Sequence, residues 1–277
     1  MLKELFTISH YPDLALEPGL SFLEKLALVF KTYAIIFILI LLTAPLIVLA
    51  EHMATYVFHY SSIRNQNSLS FQHLIKKIGY VTALVYICLI GPILEETIFR
   101  LPLSFKRVHI ALSVALALFL FSSAMPLIKT LNHSVGLAWA ISIRVAFSVL
   151  IFWLIFIALP QQISLSSGTK KWIVIVSICL FGLMHISNYS PLHWAIIWIY
   201  PVYVLPQLLM GWALSYIRFK NGFIWGIALH CLINSVAMGM GYSQNNPVKV
   251  QHTEKPVLKK VDSAIKKRVS PLSSPHS

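Results

Sequence analysis

Ile78-Gly-Tyr-Val-Thr-Ala-Leu-Val-Tyr-Ile-Cys-Leu-Ile-Gly-Pro-Ile-Leu-Glu95-Glu96-Thr-Ile-Phe-Arg100 decides the fold, because an apolar run of membrane length ends on two adjacent carboxylates. Between Lys25 and Thr253 the only acidic residues are Glu51, Glu95 and Glu96, so the apolar body of the chain has kept two of its three carboxylates side by side. A charge at membrane depth costs about 2.5 to 3.5 kcal/mol on insertion scales, and such residues by default mark function. On a helix, Glu96 and Arg100 lie four apart and share a face, while Glu95 sits about 100° round from Glu96. The spacing therefore predicts one paired carboxylate and one free.

Outward from this stretch the composition agrees. The 277 residues are 57% hydrophobic and 11% charged, with a mean hydropathy of +0.76. That is too apolar for a soluble domain and predicts an all-α, polytopic helical membrane protein. The formal charge of +13 would suggest nucleic acid in a soluble chain. Here the bases flank apolar spans, so anionic lipid headgroups are the expected partner and nucleic acid is not. Cys88, Cys179 and Cys231 lie inside apolar runs without CxxC spacing, and read as packing thiols. Glu4, Asp13, Glu17 and Glu24 fall where a signal peptide would need a basic and then an apolar region, so the first span is expected to act as its own insertion signal.

About seven spans are expected, with six to eight allowed. Residues 1–32 form an N-terminal segment in which Leu20 to Phe30 has the spacing of an interfacial helix. The membrane domain covers 33–240, with its motif-bearing part at 78–240. Its spans are expected at Tyr33–Ala50, Ile78–Phe99, His109–Ile128, Gly136–Leu159, Trp172–Ile186, Leu192–Ile217 and Gly222–Met240. Residues 51–75 are polar and predict a loop with an amphipathic approach from Phe71 to Lys77. Pro201 and Pro206 fall inside the sixth span, which either tolerates them in the membrane or divides into two short segments. The basic tail, 241–277, is predicted to be disordered and headgroup-associated.

Three spans carry polar residues that apolar packing does not require: Glu95, Glu96 and Arg100 on the second, His185 on the fifth, and His230 with Asn234 on the seventh. Phe181 and His185 share a helix face, as do His230 and Asn234. Brought together, such a set offers a carboxylate to activate water, a histidine to orient or share the proton, and an imidazole with an amide to meet a developing oxyanion. Taken singly, each also has a plainer reading as interhelical hydrogen bonding or charge neutralisation. Of the remaining histidines only His193, eight residues past His185, keeps any functional interest.

In order and spacing, Glu95-Glu96-x-x-x-Arg100, Phe181-x-x-x-His185 and His230-x-x-x-Asn234 resemble the three motifs of the CPBP family of intramembrane proteases, which includes the CAAX endopeptidases and the Abi proteins. The resemblance covers roughly Ile78 to Met240, and Arg218-x-x-x-Gly222 looks like the family's lead-in to its last motif. It implies Glu95 as general base acting with His185 on water, His230 and Asn234 as the oxyanion site, and Glu96 with Arg100 as support, with Phe181 beside them.

The family is often called metalloprotease-like. No HExxH is present, and the candidate ligands Glu95, His185 and His230 come from three separate helices, so spacing certifies no metal geometry. A metal-free glutamate mechanism is preferred because it uses Asn234 directly; zinc with an open position is the alternative. The expected function is hydrolysis of a peptide bond in a protein or peptide substrate, prenylated or a leader peptide, at the membrane. The protein would be multi-pass, in the plasma membrane if bacterial. A non-catalytic binding or immunity factor on the same fold, and a proton-coupled transporter, are the rivals. The sequence ends Pro-His-Ser, so the chain is not expected to be a prenylated substrate itself.

Overall fold

The computed structural model describes Leu5, Thr7 and residues 20–123 and 136–245, with side chains as far as residue 240. The readings of the remaining N-terminal residues, of the third span beyond Ser123 and of the tail past Asn245 lie outside these described residues. Every named element is helical, and the sole extended pairing among the described residues is an isolated bridge between Lys106 and Gln162.

Helix α1, Phe22–His52, opens on a reciprocal cap. The Ser21 hydroxyl accepts from the Glu24 N–H at 3.3 Å, and the Glu24 carboxylate accepts from the Ser21 N–H at 2.7 Å. It runs through Pro45 into a π turn at Met53–Val57. The lead-in helix and the first span, which the sequence separated, are therefore one element. Lys31 and Thr32 lie at the expected join, and neither has the means to stop a helix. Helix α2 begins already at Ile63, where the Ser62 hydroxyl caps the Asn65 N–H, and ends at Ile78. Gly79, at φ 83°, then turns the chain into α3, Tyr80–Phe99.

Helix α4, Arg107–Ser122, packs along α5, Leu137–Ala158. Arg144 on α5 faces α4. Its Nε donates to the Ser122 hydroxyl at 3.0 Å and its Nη2 to the Phe119 carbonyl at the end of α4, with the guanidinium over the Phe119 ring. Helix α6, Ser167–Met184, tightens into a 3₁₀ turn, His185–Tyr189.

The sixth apolar region is broken. A 3₁₀ stretch and one α turn form α7, Trp194–Tyr203, which meets α8, Leu205–Asn221, at a bend of 46°. Pro201 and Pro206 each stand in the first turn of a helix, where a missing N–H costs no hydrogen bond. Gly222, at φ 107°, leads into α9, Phe223–Asn245.

Five helices among the described residues are long and apolar enough to cross a membrane, and the bent pair makes six. With the shorter α4 they account for the seven apolar segments read from the sequence. Two buried clusters organise them. One, with Val29, Ile36, Ile178, Phe181 and Leu214, joins α1, α6 and α8. The other, with Ala54, Ile63, Tyr189, Tyr200 and Tyr203, joins the end of α1 to α2, the 3₁₀ turn and α7. Outward-facing Leu42, Leu49, Phe147, Leu154 and Ile157 are more than half exposed, a surface suited to lipid and not to water.

Candidate active site

The glutamate pair is presented by a helix with a widened turn. Within α3 the backbone follows π spacing over Tyr86–Ile90, with the Gly91 N–H reaching the Tyr86 carbonyl. Five residues after Ile87 stands Pro92, which has no N–H to give, so the Ile87 carbonyl is left without a partner in its own helix. Asn234 of α9 supplies one: its Nδ2 donates to that carbonyl at 2.8 Å. The amide has two hydrogens, and this bond commits one of them.

Past the π turn the two carboxylates separate as the helical spacing predicts. Glu96 is fully buried and lies 3.5 Å from Nη1 of the equally buried Arg100. Glu95 is 27% exposed and, among the described residues, has no lysine or arginine paired with it. The guanidinium of Arg100 is held by a carbonyl and a ring as well: Nη2 donates to the Gly211 carbonyl at 3.2 Å, and its carbon lies 3.9 Å from the Phe181 ring centroid. Gly211 permits this approach, since a Cβ there would stand 3.0 Å from both Arg100 Nη2 and Phe181 Cδ1. The end of α3 is then tied down by the Arg218 Nε to the Arg100 carbonyl at 2.7 Å, and by the Ser177 hydroxyl to the Phe99 carbonyl at 2.5 Å.

Two histidines close on Glu95 from separate helices. Nδ1 of His185 donates to the Phe181 carbonyl at 2.8 Å, so in the neutral ring Nε2 carries the lone pair; it lies 3.9 Å from Glu95 Oε2. His230 is buried, and its Nδ1 donates to the Glu96 carboxylate at 3.0 Å, turning Nε2 to within 3.6 Å of the same Glu95 oxygen. Sequence spacing tied Glu96 only to Arg100 and missed this second bond, because no periodicity relates residues on α3 and α9. The Phe181 ring packs edge-on against both imidazoles. His193 stands apart, stacked on Tyr60 and 3.3 Å from Gln66 Nε2.

Three acceptor atoms thus face one another: Glu95 Oε2, His185 Nε2 and His230 Nε2. Lone pairs gathered so closely favour a donor between them, and a water giving its protons to this set is the natural occupant. Zinc is the other candidate, since histidines anchored through Nδ1 to a carboxylate and a carbonyl are also how metal ligands are held. Among the described residues, however, no group of three or more His, Cys, Asp and Glu side chains is arranged to hold a metal ion. No step below runs through a metal.

A family model described as type II CAAX prenyl endopeptidase, Rce1-like, matches residues 77–236. The chain belongs to this family. The matched stretch takes in α3 to α8 and the part of α9 that carries His230 and Asn234, so every motif residue named from the sequence lies inside it. Helix α1 lies outside it. No curated protein and no solved structure matches the chain. As a CAAX-type family member with these apolar helices, it is an integral membrane protein.

Proposed function

We propose that this CAAX-family protein is an active intramembrane endopeptidase that hydrolyses a peptide bond with water activated at Glu95. The observation that carries the reading is the convergence of Glu95, His185 and His230 on one point, with each imidazole fixed by its other nitrogen. Glu95 takes a proton from the water as its oxygen attacks the scissile carbonyl. The tetrahedral oxyanion is met by the Asn234 N–H not engaged by Ile87; His230, expected to share that role, spends its Nδ1 hydrogen on Glu96 and in the neutral ring presents only an acceptor at Nε2. The proton held at Glu95 and the histidines then passes to the leaving amine as the C–N bond breaks. Glu96 and Arg100 do not touch the reacting atoms; they set the His230 ring.

The family's own description supports, as the substrate to try first, a protein or peptide with a prenylated C-terminal CAAX sequence. An unprenylated leader peptide is the second substrate to try. The test is cleavage of a farnesylated CAAX reporter peptide by purified protein in liposomes, with Glu95→Gln beside it. Cleavage by the wild type and none by the variant is expected. Wild-type protein that binds the peptide without cutting it would leave a binding factor instead. Elemental analysis of the same washed, active sample bears on the mechanism: about one equivalent of zinc, with activity lost on stripping and restored on readdition, would overturn the metal-free route.

A further inference from the structure

Glu51 is the third carboxylate of the apolar body, and the reaction above makes no use of it. It lies near the end of α1, outside the family-matched residues, in an element apolar enough to cross the membrane. Packing does not require a carboxylate there. Its Oε2 accepts from the Tyr203 hydroxyl at 2.7 Å and from the Arg64 N–H at 3.4 Å. The Tyr203 carbonyl in turn accepts from the Tyr189 hydroxyl at 3.2 Å. Tyr189, Tyr200 and Tyr203 are all buried, with ring centroids 5.4 to 6.5 Å apart, and the Tyr200 oxygen accepts the His193 N–H at 3.1 Å.

Tyr189 closes the 3₁₀ turn that His185 opens. Such a turn is weakly held by its own hydrogen bonds, so its position depends on outside anchors. The Phe181 carbonyl fixes the His185 ring from the upstream side. The downstream end is fixed through Tyr189, Tyr203 and finally Glu51. We infer that Glu51 is a positioning residue for His185, acting through Tyr203 and Tyr189, so that helix α1 sets the geometry of a site whose motifs all lie elsewhere. The inference builds on the proposed role of His185.

The experiment compares Glu51→Leu, Tyr203→Phe and Glu51→Gln with wild type in two readouts: cleavage of the farnesylated peptide, and the ¹³Cε1 resonance of His185 in histidine-labelled protein, assigned by its loss in His185→Gln. Leu and Phe break the relay, whereas Gln keeps an oxygen to accept the Tyr203 hydroxyl. A misplacement on the order of 1 Å costs up to about 100-fold in rate, so Glu51→Leu and Tyr203→Phe should lower kcat by roughly 10- to 100-fold with KM within about twofold. Both should move the His185 signal, and Glu51→Gln should restore rate and signal together. If Glu51→Leu does not fold, Tyr203→Phe against Glu51→Gln decides. Wild-type kcat and an unmoved signal in Tyr203→Phe, even with a lowered melting temperature, would overturn the inference. A wild type that cuts no peptide, while Tyr203→Phe still moves the His185 signal, would sink the proposed function and uphold the relay.

Discussion

At the residue scale, adjacent glutamates do opposite work because one helical step of about 100° turns one toward Arg100 and leaves the other facing two imidazoles. Glu95→Gln keeps shape and removes the proposed base, so kcat should fall by roughly 10² to 10⁴ while the melting temperature stays near wild type. Glu96→Gln leaves the Arg100 charge buried without its counter-charge and weakens the acceptor of His230 Nδ1. Breaking a buried pair in this way costs about 3 to 5 kcal/mol, so folded yield and melting temperature should drop along with rate. Turnover and thermal unfolding on one detergent preparation of each variant check both. A Glu95→Gln protein with a substantial rate would remove the assignment. The division between the two carboxylates was legible in the sequence, since an i,i+4 pair needs only a helix. The bond from Glu96 to His230 was not, because it joins residues 134 apart and depends on how α3 and α9 pack.

At the element scale, the π turn of α3 and Asn234 of α9 form one unit. Pro92 withdraws the N–H that would have met the Ile87 carbonyl, and Asn234 replaces it from the neighbouring helix. Losing that donor leaves an unsatisfied carbonyl worth about 1 to 3 kcal/mol, on top of any loss of oxyanion stabilisation. Asn234→Ala should therefore lower both stability and kcat, the latter by roughly 10² to 10³ if its second N–H meets the oxyanion. Asn234→Asp, placing a carboxylate against a carbonyl, should be at least as damaging. The two roles separate in Pro92→Ala, which returns an N–H to the turn. In that background Asn234→Ala should destabilise less, by a coupling of about 0.5 to 3 kcal/mol in a double-mutant cycle, while its effect on kcat persists. Strictly additive melting data would mean that Ile87 does not depend on Asn234. Sequence spacing placed His230 and Asn234 on one face, but the π turn was not legible. Gly91-Pro92 permits several backbone paths, and only the packed neighbour selects among them. The same holds for the sixth apolar region, where Pro201 and Pro206 announced a break without fixing its angle.

At the scale of the molecule, helix α1 with its π turn is, among the described residues, the one element that enters both buried clusters, through Val29 and Ile36 at one end and Ala50 and Ala54 at the other. The apolar run that forms it was plain in the sequence, as was the all-helical membrane class. Its continuity from Phe22 was not, because Glu24 and Lys25 read as an interfacial segment when their cap at Ser21 is unseen. In lipid there is little hydrophobic drive to hold helices together, so packing and interhelical hydrogen bonds must do it. Helix α1 supplies such bonds along its length: the Lys25 carbonyl accepts from Asn221 Nδ2 at 3.0 Å, and Glu51 accepts from Tyr203. A fragment of residues 60–277, which keeps the whole family-matched stretch, should therefore insert but fail to assemble the site. Its yield of monodisperse protein should fall by an order of magnitude or more, and its cleavage of the reporter peptide should be absent. Co-expression with a separate fragment of residues 1–59 should restore both, with the two pieces copurifying, because each helix can insert independently before they associate. The Asn221→Ala and Tyr203→Phe changes, introduced together in the larger fragment, should weaken that copurification. A 60–277 fragment that is monodisperse and cleaves at the full-length rate would show that the motif-bearing helices are sufficient, and that α1 serves only to anchor the chain in the membrane.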